Sequence, residues 1–277
     1  MKQGKLYLVA TPIGNLSDIS ARALKTLQDT DFIAAEDTRI TRKLLTHYEI
    51  KKQVLSYYDH NRNESGEKII ERIKKGETCA LVTDAGTPAI SDPGEDLVKL
   101  SIKHDIEIIA IPGPCAAIAA LTLSGLNATR FAFEGFLPTQ KKKRQATLSS
   151  LKTEKRTMIF YEAPHKLLNT LKDMLALFGD RRISISRELT KIYDETLRLT
   201  LSAAVSYYEQ NTPRGEFVLI IEGDSNPTIS KEDNFENAIK AAKELINSGL
   251  SLKDATKRAA VEHSCSKNEL YNVLLHK

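Results

Sequence analysis

The chain predicts an α/β protein with two sheets, a mostly parallel one in an N-terminal domain and a mixed one in a second domain, followed by a small helical C-terminal extension. Three observations carry this. Through the first half, hydrophobic strand-sized runs alternate with amphipathic segments, the βαβ rhythm of a parallel sheet. In the second half the strands crowd together, as at 182–188 and 195–201, and call for mixed pairing. Residues 223–233, GDSNPTISKED, are polar and turn-rich and read as a linker into a helical tail.

In order, strands fall at 5–10, 31–36, 53–57, 79–84 and 106–111, alternating with helices near 20–29, 38–48, 64–75, 92–103 and 115–124. A break at Ser124-Gly125-Leu126-Asn127 separates a first domain, 1–125, from a second, 126–224. There, strands at 131–136, 156–162, 182–188, 195–201 and 216–222 are interrupted by helices near 145–151, 165–178 and 202–210. Residues 225–277 hold the linker and tail. From Asn234 the tail is helical, with Ser251-Leu252-Lys253-Asp254 and Ser266-Lys267-Asn268-Glu269 as capping boxes that open successive helices.

Residues 81–94, LVTDAGTPAISDPG, are the most informative stretch. A hydrophobic run enters a bend at Asp84-Ala85-Gly86-Thr87-Pro88 and leaves through a helix start, with Asp92 at the N-cap, Pro93 first in the helix and Glu95 placed to complete a capping box. The run IEIIAIPGP, 106–114, repeats the strand-to-turn pattern, and Thr11-Pro12-Ile13-Gly14-Asn15 ends the first strand in the same way. Gly/Pro turns at carboxyl ends of strands are where an open α/β sheet binds ligands, because backbone amides are bare there. No GxxxxGK[ST] and no GxG occurs, so any nucleotide-like cofactor rests on this other Gly/Pro geometry.

Composition narrows the class. At 277 residues, 41% hydrophobic and 27% charged, the chain has material for two soluble α/β domains. The start MKQGKLYLVA lacks a signal-peptide core and no apolar run is long enough to span a bilayer, so a cytoplasmic protein without membrane attachment is expected. Cys79, Cys115 and Cys265 form no CxxC pair and the six histidines no HxxxH, so no metal is expected. The net charge of +4 permits a nucleic-acid partner without requiring one.

Charged residues mark several strand exits: Ala35-Glu36-Asp37-Thr38-Arg39, Phe160-Tyr161-Glu162-Ala163-Pro164-His165 and Arg187-Glu188-Leu189-Thr190-Lys191. Taken singly, each fits an ordinary helix cap or solvated strand end. The run Lys141-Lys142-Lys143-Arg144 reads as an exposed loop that gains meaning if the substrate is polyanionic.

Together LYLVATPIGNLSDIS, AAEDTR, LVTDAGTPAISDPG, IPGPCAAIAAL, FEGFLP, FYEAPHK, SRELTK and GEFVLIIEG resemble the signature series of the tetrapyrrole methylase superfamily, over about residues 4–223. Gly86-Thr87-Pro88 stands where the generic superfamily turn reads G-D-P, a variant typical of the ribosomal RNA branch. The resemblance implies the tetrapyrrole-methylase-like fold, a homodimer, and S-adenosylmethionine folded into the cleft between the two domains. By motif, the cofactor would lie against Pro12, Gly86, Thr87, Ile90, Cys115 and Ala116, with Tyr161, Leu189, Glu216 and Phe217 approaching from the second domain. The activity implied is 2′-O-methylation of a cytidine ribose in small-subunit (16S) ribosomal RNA, free or in the assembled 30S subunit, with no DNA partner.

That chemistry needs alignment of oxygen, carbon and sulfur and a group to accept the hydroxyl proton. Glu36, Asp37 and Glu188 are the candidate bases, with Glu162 behind them; Arg39, Arg187 and Lys191 are candidates to hold phosphate or lower the hydroxyl pKa, and His165 to relay a proton. Lys141, Lys142, Lys143 and Arg144 are the candidate RNA contacts, on a loop that contributes little to stability. Two alternatives stand beside this reading: another methyltransferase of the superfamily acting on a corrin precursor or a modified histidine of a translation factor, and a non-catalytic RNA-binding protein that kept the fold.

Overall fold

The computed structural model describes residues 4–58, 62–92, 94–225, 231–263 and 265–275. They form two compact units, Met1–Asp224 and Ser225–Lys277. In the first unit, β1 (Lys5–Val9), β2 (Phe32–Ala35), β3 (Gln53–Ser56), β4 (Cys79–Val82) and β5 (Glu107–Ile111) make one sheet, ordered β3-β2-β4-β1-β5, with every pairing parallel. Helices α1 (Ala21–Asp29), α2 (Thr38–His47), α3 (Arg62–Lys74) and α4 (Gly94–Lys103) connect the strands.

β2 and β4 are buried along their whole length because alternate side chains feed two different cores. Phe32, Ala34, Cys79 and Leu81 meet Ile69, Ile70 and Ile73 of α3 and Leu97 of α4 on one face. Ile33, Ala35, Ala80 and Val82 meet Ala23 and Leu27 of α1 and Leu45 of α2 on the other. Five parallel strands with covered faces leave one edge where all their carboxyl ends emerge. The turns singled out in the sequence lie on that edge.

Local capping sets where the helices begin. Ser20 Oγ accepts from the Ala23 amide, and the Asp37 carboxylate from the Arg39 amide. Asp92 Oδ1 takes both the Ala89 and the Gly94 amides. Pro93 lies outside the described residues. The expected capping box with Glu95 is not what its side chain makes, because Glu95 pairs with Lys99 one turn on, at 2.6 Å.

The second sheet holds β6 (Phe131–Phe136), β7 (Thr157–Glu162), β8 (Arg182–Arg187), β9 (Glu195–Thr200) and β10 (Phe217–Ile221), ordered β6-β7-β10-β8-β9. β6 and β7 run parallel and the other neighbours antiparallel, the mixed pairing expected. Its central strand β10 sends Phe217, Leu219 and Ile221 into one core and Val218 and Ile220 into another. The first core is closed by helices that follow the strands, the second by α5 (Ala116–Ser124), which comes from the first half of the chain. The small residues Ala117 and Ala120 let α5 lie close to Ile159, Val218 and Ile220, and Gly125 ends it in the left-handed region, φ +71°.

Helices α6 (Lys141–Ser150), α7 (Pro164–Phe178) and α8 (Leu201–Gln210) cover the opposite face. α6 corrects the sequence reading. It starts at Lys141, four residues before the expected 145, so Lys141, Lys142, Lys143 and Arg144 are its first turn and not a loop. Lys141, Lys142 and Lys143 are exposed, but Arg144 is buried and its guanidinium meets the Asp173 carboxylate of α7 at 2.7 Å. Arg144 is therefore a packing residue, unavailable to RNA.

The second unit is a helical cluster of α9 (Lys231–Asn247), α10 (Leu252–Glu262) and α11 (Lys267–Leu275) around Ala238, Ala242, Ala259, Ala260 and Leu270. Ser251 Oγ accepts from the Asp254 amide and donates to its carboxylate, and Ser266 Oγ accepts from the Glu269 amide. No described helix is long and apolar enough to cross a membrane.

The α6 correction gives a stability prediction. Arg144→Ala leaves the buried Asp173 carboxylate without its cationic partner, with Gln145 Nε2 still donating to it, and should cost about 3–5 kcal/mol in urea denaturation. Gln at Lys141, Lys142 or Lys143 should stay within about 0.5 kcal/mol of wild type.

Candidate functional site

Three turns at the carboxyl edge of the first sheet are tied into one structure. Thr11 and Gly86 exchange backbone hydrogen bonds, Thr11 N to Gly86 O at 2.9 Å and Gly86 N to Thr11 O at 3.1 Å. Thr87 Oγ1 donates to Pro114 O at 3.0 Å, and Thr11 Oγ1 to Thr83 O. Gly86 has φ +86°, and a Cβ there would lie 3.3 Å from Ile13 Cγ2 and 3.6 Å from Pro114 O. The turn favours glycine for its backbone conformation, and the Ile13 methyl leaves a β-carbon only a tight fit.

The second sheet closes on the same place. Asn15 N donates to Thr190 Oγ1 at 3.0 Å, and a Cβ on Gly14 would sit 2.5 Å from Lys191 Cγ and 3.0 Å from Leu189 O. A Cβ on Gly135 of β6 would meet Ser91 Oγ at 3.1 Å. The Tyr161 ring packs against Phe133 and Phe136, its hydroxyl meets the Ala117 amide at the start of α5, and burial pushes its pKa up to about 12. Of the six non-glycine residues described with positive φ, four stand in these turns: Ala89, Ser91, Glu188 and Thr190. Each such conformation costs roughly 1–2 kcal/mol, and strain of this kind persists where function holds it.

The carboxylates divide sharply. Asp37 caps α2 and accepts from the Arg39 guanidinium at 2.6 Å, which holds its acid down to about 2. Glu188 Oε1 accepts from Lys191 Nζ at 2.9 Å and from the Glu216 amide at 3.0 Å, while Lys191 Nζ also reaches Glu216 Oε2 at 2.8 Å. Burial works to raise the Glu188 acid, but these donors outweigh it and leave it below its ordinary range. Burial likewise works to lower Lys191, and its two glutamates outweigh that. Glu162 is 2% exposed and bound by Thr170 Oγ1, the Ala163 amide and Lys166. These bonds tie the end of β7 to the first turns of α7.

Glu36 stands apart. Its Oε2 accepts only the Thr83 hydroxyl, at 3.0 Å, among the side-chain donors. Burial raises its acid above the ordinary value, and the nearby Asp84 and Asp92 charges add to that against the Thr83 bond. Asp84, read in the sequence only as part of a bend, is a second such carboxylate: burial raises it, against the Asp37 amide it accepts at 3.0 Å. Its signal was an acid at the exit of β4, beside β2, which carries Glu36 at its own exit.

The other sequence-derived candidates sort by position. Pro12, Gly86, Thr87, Cys115, Ala116, Tyr161 and Leu189 belong to the turns and to the core beneath them. Ile90 is exposed at 43% in the same turn as Gly86. Phe217 sends its side chain into the opposite core, against Tyr208, while its backbone pairs with Glu162 and Arg187. Arg187 pairs with Glu195 at 3.3 Å, and His165 is exposed on the first turn of α7. Among the described residues no group of three or more His, Cys, Asp or Glu side chains could hold a metal ion.

The sequence profile described as Tetrapyrrole (Corrin/Porphyrin) Methylases matches residues 5–205. Ribosomal RNA small subunit methyltransferase I of Halalkalibacterium halodurans is 48% identical over 273 residues, 98% of this chain and 94% of that one. The chain belongs to the ribosomal RNA small subunit methyltransferase I family of tetrapyrrole methylases. The family member of Thermotoga maritima is 46% identical over 79% of this chain and 99% of its own length. A whole family member thus aligns with about as much chain as the first unit contains. A diphthine synthase shares the fold, with a TM-score of 0.61 and 15% identity over 79% of this chain and 90% of that one.

S-adenosylmethionine is the cofactor that membership of the tetrapyrrole methylases brings, and the turns fit it. Gly86, at φ +86°, presents bare backbone between Ile13 and Pro114. Cys115 at the N-cap of α5 makes no side-chain cap bond, so the helix start keeps donors for an anionic group. In isothermal titration, Gly86→Val should lose at least tenfold in S-adenosylmethionine affinity while retaining its circular dichroism spectrum.

Proposed function

We propose that this chain is a cytoplasmic methyltransferase that modifies the ribose 2′-hydroxyl of a cytidine in small-subunit ribosomal RNA, free or assembled, and works as a homodimer. The observation that carries the reading is the convergence of the turns after β1, β4 and β5 with the 188–191 turn around Gly14 and Gly86. When bound, S-adenosylmethionine supplies a methyl on a sulfonium, already a good leaving group. Pro12, Gly86, Thr87, Cys115, Ala116, Tyr161 and Leu189 hold it through backbone and small side chains. Their part in the acceleration is alignment.

Glu36 is the residue we assign to accept the hydroxyl proton. Asp37 and Glu188 are held below the ordinary carboxylate range, which makes each a poor base, and Glu162 is enclosed with Lys166 and Thr170. Glu36 keeps basicity because burial raises it. Arg39 is paired with Asp37 but its side chain is 84% exposed, which supports a phosphate contact better than Lys191, held between two glutamates.

Lys141, Lys142 and Lys143 support an RNA substrate more strongly in a helix than in a loop. Three cations on the first turn oppose the helix dipole, no acid accompanies them there, and Gln140 supplies no side-chain cap. A polyphosphate would relieve all three. The corrin and diphthine alternatives offer no use for this turn.

Three outcomes test the assignment. Undermethylated small subunits incubated with labelled cofactor should yield label in an alkali-resistant dinucleotide; label confined to bases would refute it. Glu36→Gln should slow methyl transfer about 10²- to 10⁴-fold. The acid limb of its kcat/KM profile, which in wild type should lie above 4.5, should vanish. The sign for stability runs the other way. A raised acid favours the protonated folded state, so Glu36 costs stability as pH rises from 4.5 through its raised pKa, and the Gln variant should resist urea better at pH 7. Finally, Gln at Lys141, Lys142 and Lys143 together should lower the salt slope of RNA binding by roughly 2.

A further inference from the structure

The turn joining β8 to β9 breaks the ordinary rule for turns. Lys191 O accepts from the Asp194 amide at 3.1 Å, which places Ile192 and Tyr193 at its two corners. Corners of tight turns favour Gly, Pro, Asn, Asp and Ser, whose backbones or short polar side chains suit them. Here a β-branched residue and an aromatic one stand there instead, 94% and 73% exposed. They are the most exposed large hydrophobic side chains among the described residues of the first unit. Departures of this kind from local preference concentrate at functional positions.

The turn is also stiff. Lys191 N donates to Glu188 O at 2.9 Å, Thr190 N to Asp194 Oδ2 at 2.8 Å, and Lys191 is fixed by Glu188 and Glu216. Its inner side is the part of the chain that touches Gly14 and Asn15 of the cofactor turn. A rigid apolar knob thus stands three residues beyond a wall of the reaction site. A ribose cannot reach a donor in a cleft while its base stays stacked in RNA, so an enzyme of this kind must splay the nucleotide out and give its base a new surface.

We propose that Tyr193, backed by Ile192, is that surface, stacking a splayed-out base of the RNA substrate beside the methyl-transfer site. The proposal rests on the ribosomal RNA reading above. A second copy of the chain is the weaker occupant. A stable interface covers about 800 Å² per partner, and an aromatic side chain supplies about 150–250 Å². One stacked base matches what the knob offers.

The test uses the full chain and undermethylated small subunits. Tyr193→Ala should lose roughly 5- to 100-fold in kcat/KM, the worth of one base–aromatic stack, with S-adenosylmethionine affinity unchanged in titration. Tyr193→Phe should retain most of the wild-type value. The chain contains no tryptophan, so Tyr193→Trp gives a single indole whose fluorescence should be quenched by subunits and by short single-stranded RNA. Unchanged kcat/KM in Tyr193→Ala, equal loss in the Phe variant, or an unquenched indole would overturn the proposal. So would a loss of activity that sedimentation equilibrium traces to a change in oligomeric state, which would make the knob a contact between copies. If wild type leaves no label on ribose while the indole is quenched, the parent reading fails and the stacking surface stands; if neither appears, both fall.

Discussion

The reciprocal hydrogen bonds between Thr11 and Gly86 are the constraint on which the site depends. They join the turns after β1 and β4, adjacent strands of one parallel sheet, into a two-residue antiparallel bridge lying beyond the sheet edge. With Thr87 bound to Pro114, the turn after β5 joins the same frame. None of these bonds involves a chemically reactive group. They shape a rim of bare backbone, and the charged residues around it take their roles from where the rim leaves room.

Those roles separate by what each carboxylate already does. Asp37 and Glu188 face cations and backbone amides that keep them ionised, and Glu162 is enclosed with Lys166 and Thr170. Such groups hold geometry. Glu36 and Asp84 stand at the exits of the paired strands β2 and β4, where burial makes protonation easier and a neighbouring carboxylate adds to it, Asp84 for Glu36 and Asp37 for Asp84. The first three are held by donors close at hand, whereas Glu36 and Asp84 are held chiefly by burial.

Much of this was legible in the sequence because it rests on local signals. The buried runs FIAA and CALV, the Gly/Pro turns and the cap residues Ser20, Asp37 and Ser251 declare themselves within a few positions. What escaped depends on residues distant in sequence. Lys141–Arg144 looked like a loop because like charges at a helix start are unfavourable. The reason Arg144 goes inside is Asp173, 29 positions later. Phe217 matched a cofactor motif, yet strand alternation turned its ring into the core beyond the sheet. Asp84 was hidden because its partner Glu36 lies across a strand pairing that no spacing along the chain encodes.

α5 has a consequence for how the molecule comes into being. Made directly after β5, it forms the cover of a core whose strands are all synthesised later. During vectorial synthesis, the helix therefore waits with Ala117, Ala120 and Leu121 uncovered until Ile159, Val218 and Ile220 arrive. The dependence is not symmetric: a fragment beginning at residue 126 would emerge with those isoleucines and valine facing water, and would be drawn to any apolar surface within reach, its own kind included.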